Sequence, residues 1–392
     1  MMLGVLLARA GVDVVVLEKH ADFLRDFRGD TVHPSTLEVI HELGWLDDFL
    51  SRPHQKVREI GGRIAGERVT IADFTHLPVR CGFIAFMPQW DFLDFLVDHG
   101  RLYPTFDLRM EAEVVDLIEE GGRCAGVRAT TPSGPLEVRA DLTIAADGRH
   151  SIVRERARLD VERLGAPIDV LWMRLSKRAG DPAMILGHLA AGHIFVMLDR
   201  GAYWQCALVI PKGGFDTIRE AGIESFQRTL VEIVPFLGDR VSELKDWDQI
   251  RLLTVLIDRL REWYRDGLLC IGDAAHAMSP VGGVGINLAI QDAVAAANIL
   301  TGPLKTRRLT IEDLRAVQRR RGFPTRVTQR LQVAIQNNVF VRTLQAGAPT
   351  RVPRLVRLLN DYPALRRIPA FMVGLGVRPE HVRTPEVRHA QT

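Results

Sequence analysis

The stretch from Gly267 to Leu300, GLLCIGDAAHAMSPVGGVGINLAIQDAVAAANIL, constrains the fold more than any other part of this chain. It opens with a short apolar run, Leu268 to Ile271, of the length expected for a buried strand. The run breaks at Gly272-Asp273. A loop carrying Pro280, Gly282, Gly283 and Gly285 follows, and the chain resumes at Asn287 as an alanine-rich helical pattern. A strand, a glycine-rich loop and a helix N-terminus together offer backbone N–H groups and a positive dipole end to an electron-rich ligand.

The chain has 392 residues, enough for two or three structural domains. A net charge of +3 is too small to imply a nucleic-acid partner. The basic clusters Arg319-Arg320-Arg321 and Arg366-Arg367 read as solvated helix faces. Four cysteines, none in a CxxC pair, argue against a zinc site or a disulfide framework and fit a reducing cytoplasm. Leu3 to Leu17 is apolar, but it has no basic flank and is interrupted by Arg9, Gly11 and Asp13, unlike a signal peptide. No run of roughly 20 uninterrupted apolar residues indicates a membrane span.

Met1 to Ala10 reads as the back half of a helix stopped at Gly11. Val12 to Leu17 is a β-branched strand ending at Glu18. This is the second half of a β-α-β dinucleotide unit, in which a strand-end carboxylate accepts hydrogen bonds from an adenosine ribose. The first strand and the GxGxxG turn of such a unit are absent ahead of the helix, so the expectation is a start placed too far downstream, or a fragment. Arg28 lies in a polar loop before a helix opening at Pro34. Val57 to Phe83 suggests strands of a separate sheet. Gln89 precedes a compact helix, Trp90 to Val97. Leu108 to Ile144 reads as an antiparallel meander. It leads into a strand ending at Asp147-Gly148, with Ser151 and Arg154 at the next helix start. Leu171 to Pro211 is strand-like, Phe215 to Leu237 mostly helical, and Leu252 to Ile257 a return strand. The chain after Leu300 is helical and basic, with apolar spacing at Leu331, Val333, Ile335 and Val339.

Glu18, the pair Asp147-Gly148 and the pair Gly272-Asp273 stand in one chain order. DGxxSxxR (Asp147, Gly148, Ser151, Arg154) and GDAAHxxxPxxGxGxN (Gly272 to Asn287) lie about 125 residues apart. Over about residues 1 to 310 this pattern resembles the class A flavoprotein monooxygenases, the family of para-hydroxybenzoate hydroxylase and phenol hydroxylase. The resemblance implies an α/β fold: a Rossmann-like three-layer FAD/NAD(P)-binding domain interleaved with an α+β substrate domain on a mixed sheet, and a helical C-terminal segment. The FAD-binding parts are then 1–56, 84–158 and 257–305, the substrate-domain parts 57–83 and 159–256, and the C-terminal helical region 306–392.

In that family setting Asp273 accepts bonds from ribityl hydroxyls, and Pro280, Gly283 and Gly285 shape the loop by the reacting face of the ring. The backbone N–H groups of Ile286 and Asn287 face the flavin pyrimidine edge. Glu18, Arg28 and Gln89 are further cofactor candidates. Asp147 either binds the cofactor or holds the loop that bridges FAD and nicotinamide. His276, among alanines, reads as packing, and Asp292 as a helix-surface or supporting acid.

The resemblance implies reduction of FAD by NADH or NADPH, reaction with oxygen, and transfer of one oxygen atom from a flavin C4a-hydroperoxide to an electron-rich ring, with no metal. The substrate is expected between the flavin and the sheet around Leu171 to Ile210. Trp172, Met173, Tyr203 and Gln205 are candidates there, with core packing the alternative for each. Few ionisable residues lie in that sheet, which favours a neutral or phenolic aromatic or polyketide-like small molecule. The competing readings are a flavin halogenase, whose WxWxIP is absent, an isoprenoid-reducing flavoprotein, or a non-catalytic binding protein. The oligomeric state is open, a dimer being one option.

Overall fold

The computed structural model describes all residues except 25–30, 65, 183–185, 191, 346–351 and 388–392, and the backbone alone at 186 and 190. Helix α1 (Met2–Arg9) buries Leu3, Val5, Leu6 and Leu7. Each such side chain contributes roughly 1.5–3 kcal/mol on leaving water. Gly11, at φ 79°, ends the helix, and Val12 N–H closes back onto Leu7 O at 3.0 Å. Strand β1 (Val14–Leu17) follows. A Cβ on Gly4 would stand 2.7 Å from Val16 Cγ2, so only glycine lets α1 lie this close to β1.

Helix α2 (Pro34–Glu42) starts on proline, whose missing N–H costs nothing at that position. Strands β2 (Glu59–Ile64) and β3 (Glu67–Asp73) form a hairpin. Helix α3 (Gln89–Gly100) leads to β4 (Phe106–Arg109), which pairs parallel with β1. The expected meander is present as β5 (Glu113–Glu120), β6 (Arg123–Thr131) and β7 (Gly134–Arg139). It feeds β8 (Thr143–Ala145).

Strands β9 (Ile168–Ser176), β10 (Leu186–Ala190), β11 (His193–Asp199), β12 (Tyr203–Pro211) and β13 (Arg251–Leu253) join β2 and β3 in one seven-stranded sheet, ordered β13-β9-β12-β11-β10-β2-β3. The sheet is mixed, because β10 and β2 run parallel while its other pairs are antiparallel. One face, with Leu171, Met173, Trp204, Cys206 and Leu208, packs on a helix at Ile223–Ile233 and the turns after it. The helical stretch expected from Phe215 to Leu237 is broken at Gly222 (φ 88°), and the return strand is only the three residues of β13.

Strand β14 (Leu268–Cys270) pairs parallel with β8. Among the described residues, β1 and β8 are each hydrogen-bonded along one edge only, and the residues of both line the same cavity. Helix α4 (Val284–Lys305) follows the glycine loop. With the turn before it, it is long and apolar enough to cross a membrane, but 67% of its apolar window is buried against the rest of the protein. It packs on α1 and on α5 (Ile311–Ile335). A π-helical turn, Gln336–Phe340, continues α5. Helices α6 (Arg354–Asp361) and α7 (Arg367–Gly374) then cross over β3.

Helix α5 departs from the apolar spacing expected of it. It buries Leu314 and Val317 in its first turns, but from Arg321 onward the large buried side chains are polar, Arg321, Thr325, Gln329, Gln332 and then Gln336, while Leu331 and Val339 are 37% and 39% exposed. Gln329 and Gln332 go inside because the surface they meet is irregular backbone whose N–H and C=O groups need partners, and Arg321 because Asp292 and Glu380 pair with it.

Candidate active site

The turn after β14 is fixed by steric and polar constraints together. Gly272 sits at φ 58°, and a Cβ there would come within 3.0 Å of Ala289 Cβ. Its N–H donates to Asp292 Oδ2 at 3.1 Å. His276 Nε2 bonds the same oxygen at 2.6 Å, and Arg321 Nε donates to Oδ1 at 2.9 Å. Asp292 is wholly buried, not on a helix surface. Burial works to raise its pKa, but His276 and Arg321 outweigh this and hold the carboxyl below its ordinary value. Arg321 Nη1 also bonds Glu380 Oε1 at 3.2 Å, so the network reaches the C-terminal segment. His276 is a member of this network rather than simple packing among alanines. Asp273, next to the pinned glycine, is half-buried and lines the cavity.

The DGxxSxxR motif forms a capped turn. Ser151 Oγ accepts Arg154 N–H at 2.9 Å, and Asp147 Oδ2 accepts Val153 N–H at 3.2 Å. Arg154 donates to Arg149 O at 2.6 Å, to Asp258 Oδ1 at 3.3 Å and to Ala274 O at 3.4 Å. The arginine of one motif therefore ties it to the backbone of the other.

Past Pro280, Gly282 and Gly283 take φ 79° and 63°. Gly283 O accepts Thr31 Oγ1 at 3.1 Å, and a Cβ on Gly283 would meet that oxygen at 2.7 Å. His33 is buried beside them and bonds Val373 O through Nδ1 at 2.9 Å. Burial, only partly offset by bonds to Val373 and Gly283, pushes its pKa down to about 4. Helix α4 begins at Val284, three residues before the expected Asn287, and no side chain caps its first turn. That leaves first-turn N–H groups at the cavity, where Gly285 and Ile286 line it. The Asn287 side chain is committed elsewhere, accepting Ser35 Oγ at 2.8 Å and Thr36 Oγ1 at 2.7 Å.

A single cavity of about 2930 Å³ runs past all of these features. Glu18, Gln89, Asp147, Asp273, Pro280, Gly283, Gly285 and Ile286 line it; Arg28 lies outside the described residues. Drug-sized pockets run to about 1,000 Å³, so this space has room for a dinucleotide and a large second ligand. Its far end is apolar. The open face of the seven-stranded sheet supplies Trp172, Gln205, Ala207 and Val209. Met173 and Tyr203 do not line it. Met173 alternates to the opposite face and is fully buried in the core behind the sheet. Tyr203 sits at the sheet margin with the Arg174 guanidinium 3.8 Å over its ring. Gln205 is buried, with its Oε1 accepting Arg200 Nε at 2.9 Å.

The opposite wall was not anticipated from the sequence. It comes from the C-terminal helices, through Leu331, Ile335 and Val339 and through Leu355, Ile368 and Met372. The apolar spacing on α5 was visible, but it marks a cavity wall and not a buried seam.

The model of a family described as "FAD binding domain" matches residues 1–330. A 6-methylpretetramide 4-monooxygenase from Streptomyces rimosus is 32% identical over 93% of this chain and 87% of its own length. A rifampicin monooxygenase from Rhodococcus hoagii is 26% identical over 75% of this chain, which spans 60% of that protein. The p-nitrophenol 4-monooxygenase PnpA from Pseudomonas putida superposes with a TM-score of 0.75 over 96% of this chain and 95% of its own, at 19% identity, a likeness of fold alone. Two motifs joined by Arg154, a glycine loop opening on one large cavity, and these matches lead to one conclusion: the chain belongs to the family of class A-like, FAD-dependent aromatic monooxygenases.

Proposed function

We propose that this chain hydroxylates a large, flat, neutral or phenolic polycycle of polyketide type, using FAD, dioxygen and NADH or NADPH in a reducing, cytoplasmic setting. One observation carries the reading. The same cavity contains a strand-end carboxylate, the Asp273 and α4 turn, and an apolar chamber between the sheet and the C-terminal helices. The names of two relatives, for 6-methylpretetramide and rifampicin, support a substrate of this size.

The residues fit FAD at its flavin end. Asp273 is the carboxylate for ribityl hydroxyls. The uncapped first turn of α4, at Gly285 and Ile286, offers N–H donors and a positive dipole end to the pyrimidine edge of the ring. Gly283 keeps the loop low where a side chain would strike Thr31. At the adenosine end Glu18 is the ribose acceptor, at the end of the strand that follows α1. Bound flavin supplies the redox and oxygen-activating chemistry. The protein binds and orients the two ligands and keeps water from the reacting face, through Trp172 and the aliphatic wall of α5. Gln89 and Asp147 complete the cofactor contacts, Arg28 is a further contact by family position, and Gln205 is the polar anchor of the chamber.

The test is incubation of FAD-loaded protein with NADH or NADPH, isotopically labelled dioxygen and hydroxylated polycyclic aromatics. The expected result is one labelled oxygen in the product, with nicotinamide oxidation stimulated by that substrate. Failure to bind FAD at saturating cofactor would overturn the reading.

A further inference from the structure

Helix α5 meets the glycine loop through side chains that replace missing backbone partners. Gln332 does most of this. Its Oε1 accepts Ser279 N–H at 3.2 Å, and its Nε2 donates to Ser279 O and Val281 O, each at 2.9 Å. One turn on, Gln336 Nε2 donates to Ser279 Oγ. The two amides thus bracket Pro280, the residue between Ser279 and Val281. Both glutamines are nearly or wholly buried. On the other flank of these turns, Leu331, Ile335 and Val339 face the chamber. The helix widens into its π-helical turn at Gln336–Phe340, which holds one residue of each set, Gln336 and Val339. Such turns inside α-helices recur at functional sites.

We propose that Gln332, assisted by Gln336, is a positioning residue that ties the Pro280 loop to the helix walling the substrate chamber, so that the chamber wall sets the position of the loop against the flavin. The proposal rests on the flavin reading of residues 272–287. A helix is stiff along its axis, so displacement of Ile335 or Val339 by an occupant carries Gln332 and Gln336 with it. The amides pass that displacement to Ser279 and Val281 through four hydrogen bonds. Gln329 provides the internal contrast. It is equally buried and donates to Asp258 O at 2.7 Å and Ala277 O at 3.1 Å, but it lies a turn back and does not touch the Pro280 segment.

The experiment compares FAD-loaded wild type with Gln332→Leu, Gln336→Met and Gln329→Met, using FAD titration, the visible flavin spectrum, the flavin midpoint potential and thermal melting. Gln332→Leu is expected to weaken FAD binding by about tenfold and to shift the spectrum and potential. Gln336→Met, which loses one bond, moves them the same way by less. Gln329→Met lowers the melting temperature and leaves the flavin signature in place. Ile335→Ala shifts the spectrum in the wild-type background and shifts it less in Gln332→Leu, because only the Gln336 bond of the link is left. Should Gln332→Leu fail to fold, Gln336→Met decides. Wild-type flavin signatures in the foldable Gln332 and Gln336 variants, or an equal shift from Gln329→Met, overturn the proposal. Wild-type protein that binds no FAD instead overturns the flavin reading on which it rests.

Discussion

Asp292 accepts the backbone N–H of Gly272 at 3.1 Å, reaching back from the middle of α4 to the turn on which Asp273 sits. A fully buried carboxylate is tolerated there because three donors converge on it: this N–H, His276 and Arg321. Its second oxygen carries the connection through Arg321 to Glu380, so one ionic chain runs from the C-terminal segment to the candidate ribityl contact.

Removing the carboxylate leaves Arg321, which is 1% exposed, and His276 without their common acceptor. Asp292→Ala is expected to destabilise by about 3 kcal/mol, the low end of the cost of breaking a buried ion pair, because Glu380 still pairs with Arg321. Asp292→Asn keeps an acceptor for Gly272 and costs less. Urea unfolding measures both. Equal stability of Asp292→Ala and wild type rules out a structural role for the network.

Gly283 and Gly201 both sit at positive φ, 63° and 78°. A methyl on Gly283 meets Thr31 Oγ1 at 2.7 Å, whereas nothing lies within 4 Å of one on Gly201. Alanine at either position costs roughly 1–2 kcal/mol of backbone strain. Only Gly283→Ala also displaces the loop, so it alone is expected to lose FAD affinity in a fluorescence titration. Equal FAD affinity in the two variants removes Gly283 from the cofactor site.

The legible parts of this molecule are those whose physics is local. A β-branched run ending in Glu18, and a strand broken at Gly272-Asp273 ahead of a helix, each carry their geometry within a few residues. What escaped the sequence depends on distant partners. Asp292 reads as either a surface or a supporting acid until Arg321 and His276 are brought to it and decide for the second. On α5, periodicity shows an apolar stripe but not what that stripe faces, and Leu331, Ile335 and Val339 line a cavity. The helix instead packs on bare loop backbone, which selects Gln329, Gln332 and Gln336 for the inside. Strand alternation places Trp172 and Met173 on opposite faces, but which face meets the chamber is decided by the layer packed behind the sheet.

The low pKa of His33, about 4 against an ordinary value of 6.5, makes stability depend on pH. Between those values the unfolded chain takes up a proton that the folded His33 refuses. Stability is therefore complete above about pH 6.5 and falls as pH drops towards 4. The shift corresponds to roughly 3 kcal/mol. His33→Gln, which keeps a donor for Val373 but does not titrate, is expected to flatten the dependence of melting temperature on pH in this window. An unchanged slope assigns the pH dependence to other groups.

Trp172 and Met173 are neighbours in β9 and separate the two roles of the sheet. Trp172 lines the chamber, while Met173 is fully buried in the core behind it. Met173→Ala empties a packed site and is expected to cost about 2–5 kcal/mol of stability. Its effect on KM is small, because no Met173 atom lines the chamber. Trp172→Ala enlarges the chamber instead. It is expected to raise the KM for the aromatic substrate with FAD affinity unchanged, since the uniform binding lost is that of the substrate alone. Steady-state kinetics with saturating FAD, run beside urea unfolding of both variants, separates the cases. A KM change from Met173→Ala matching that from Trp172→Ala would show that the sheet acts on substrate through its overall packing and not through its open face.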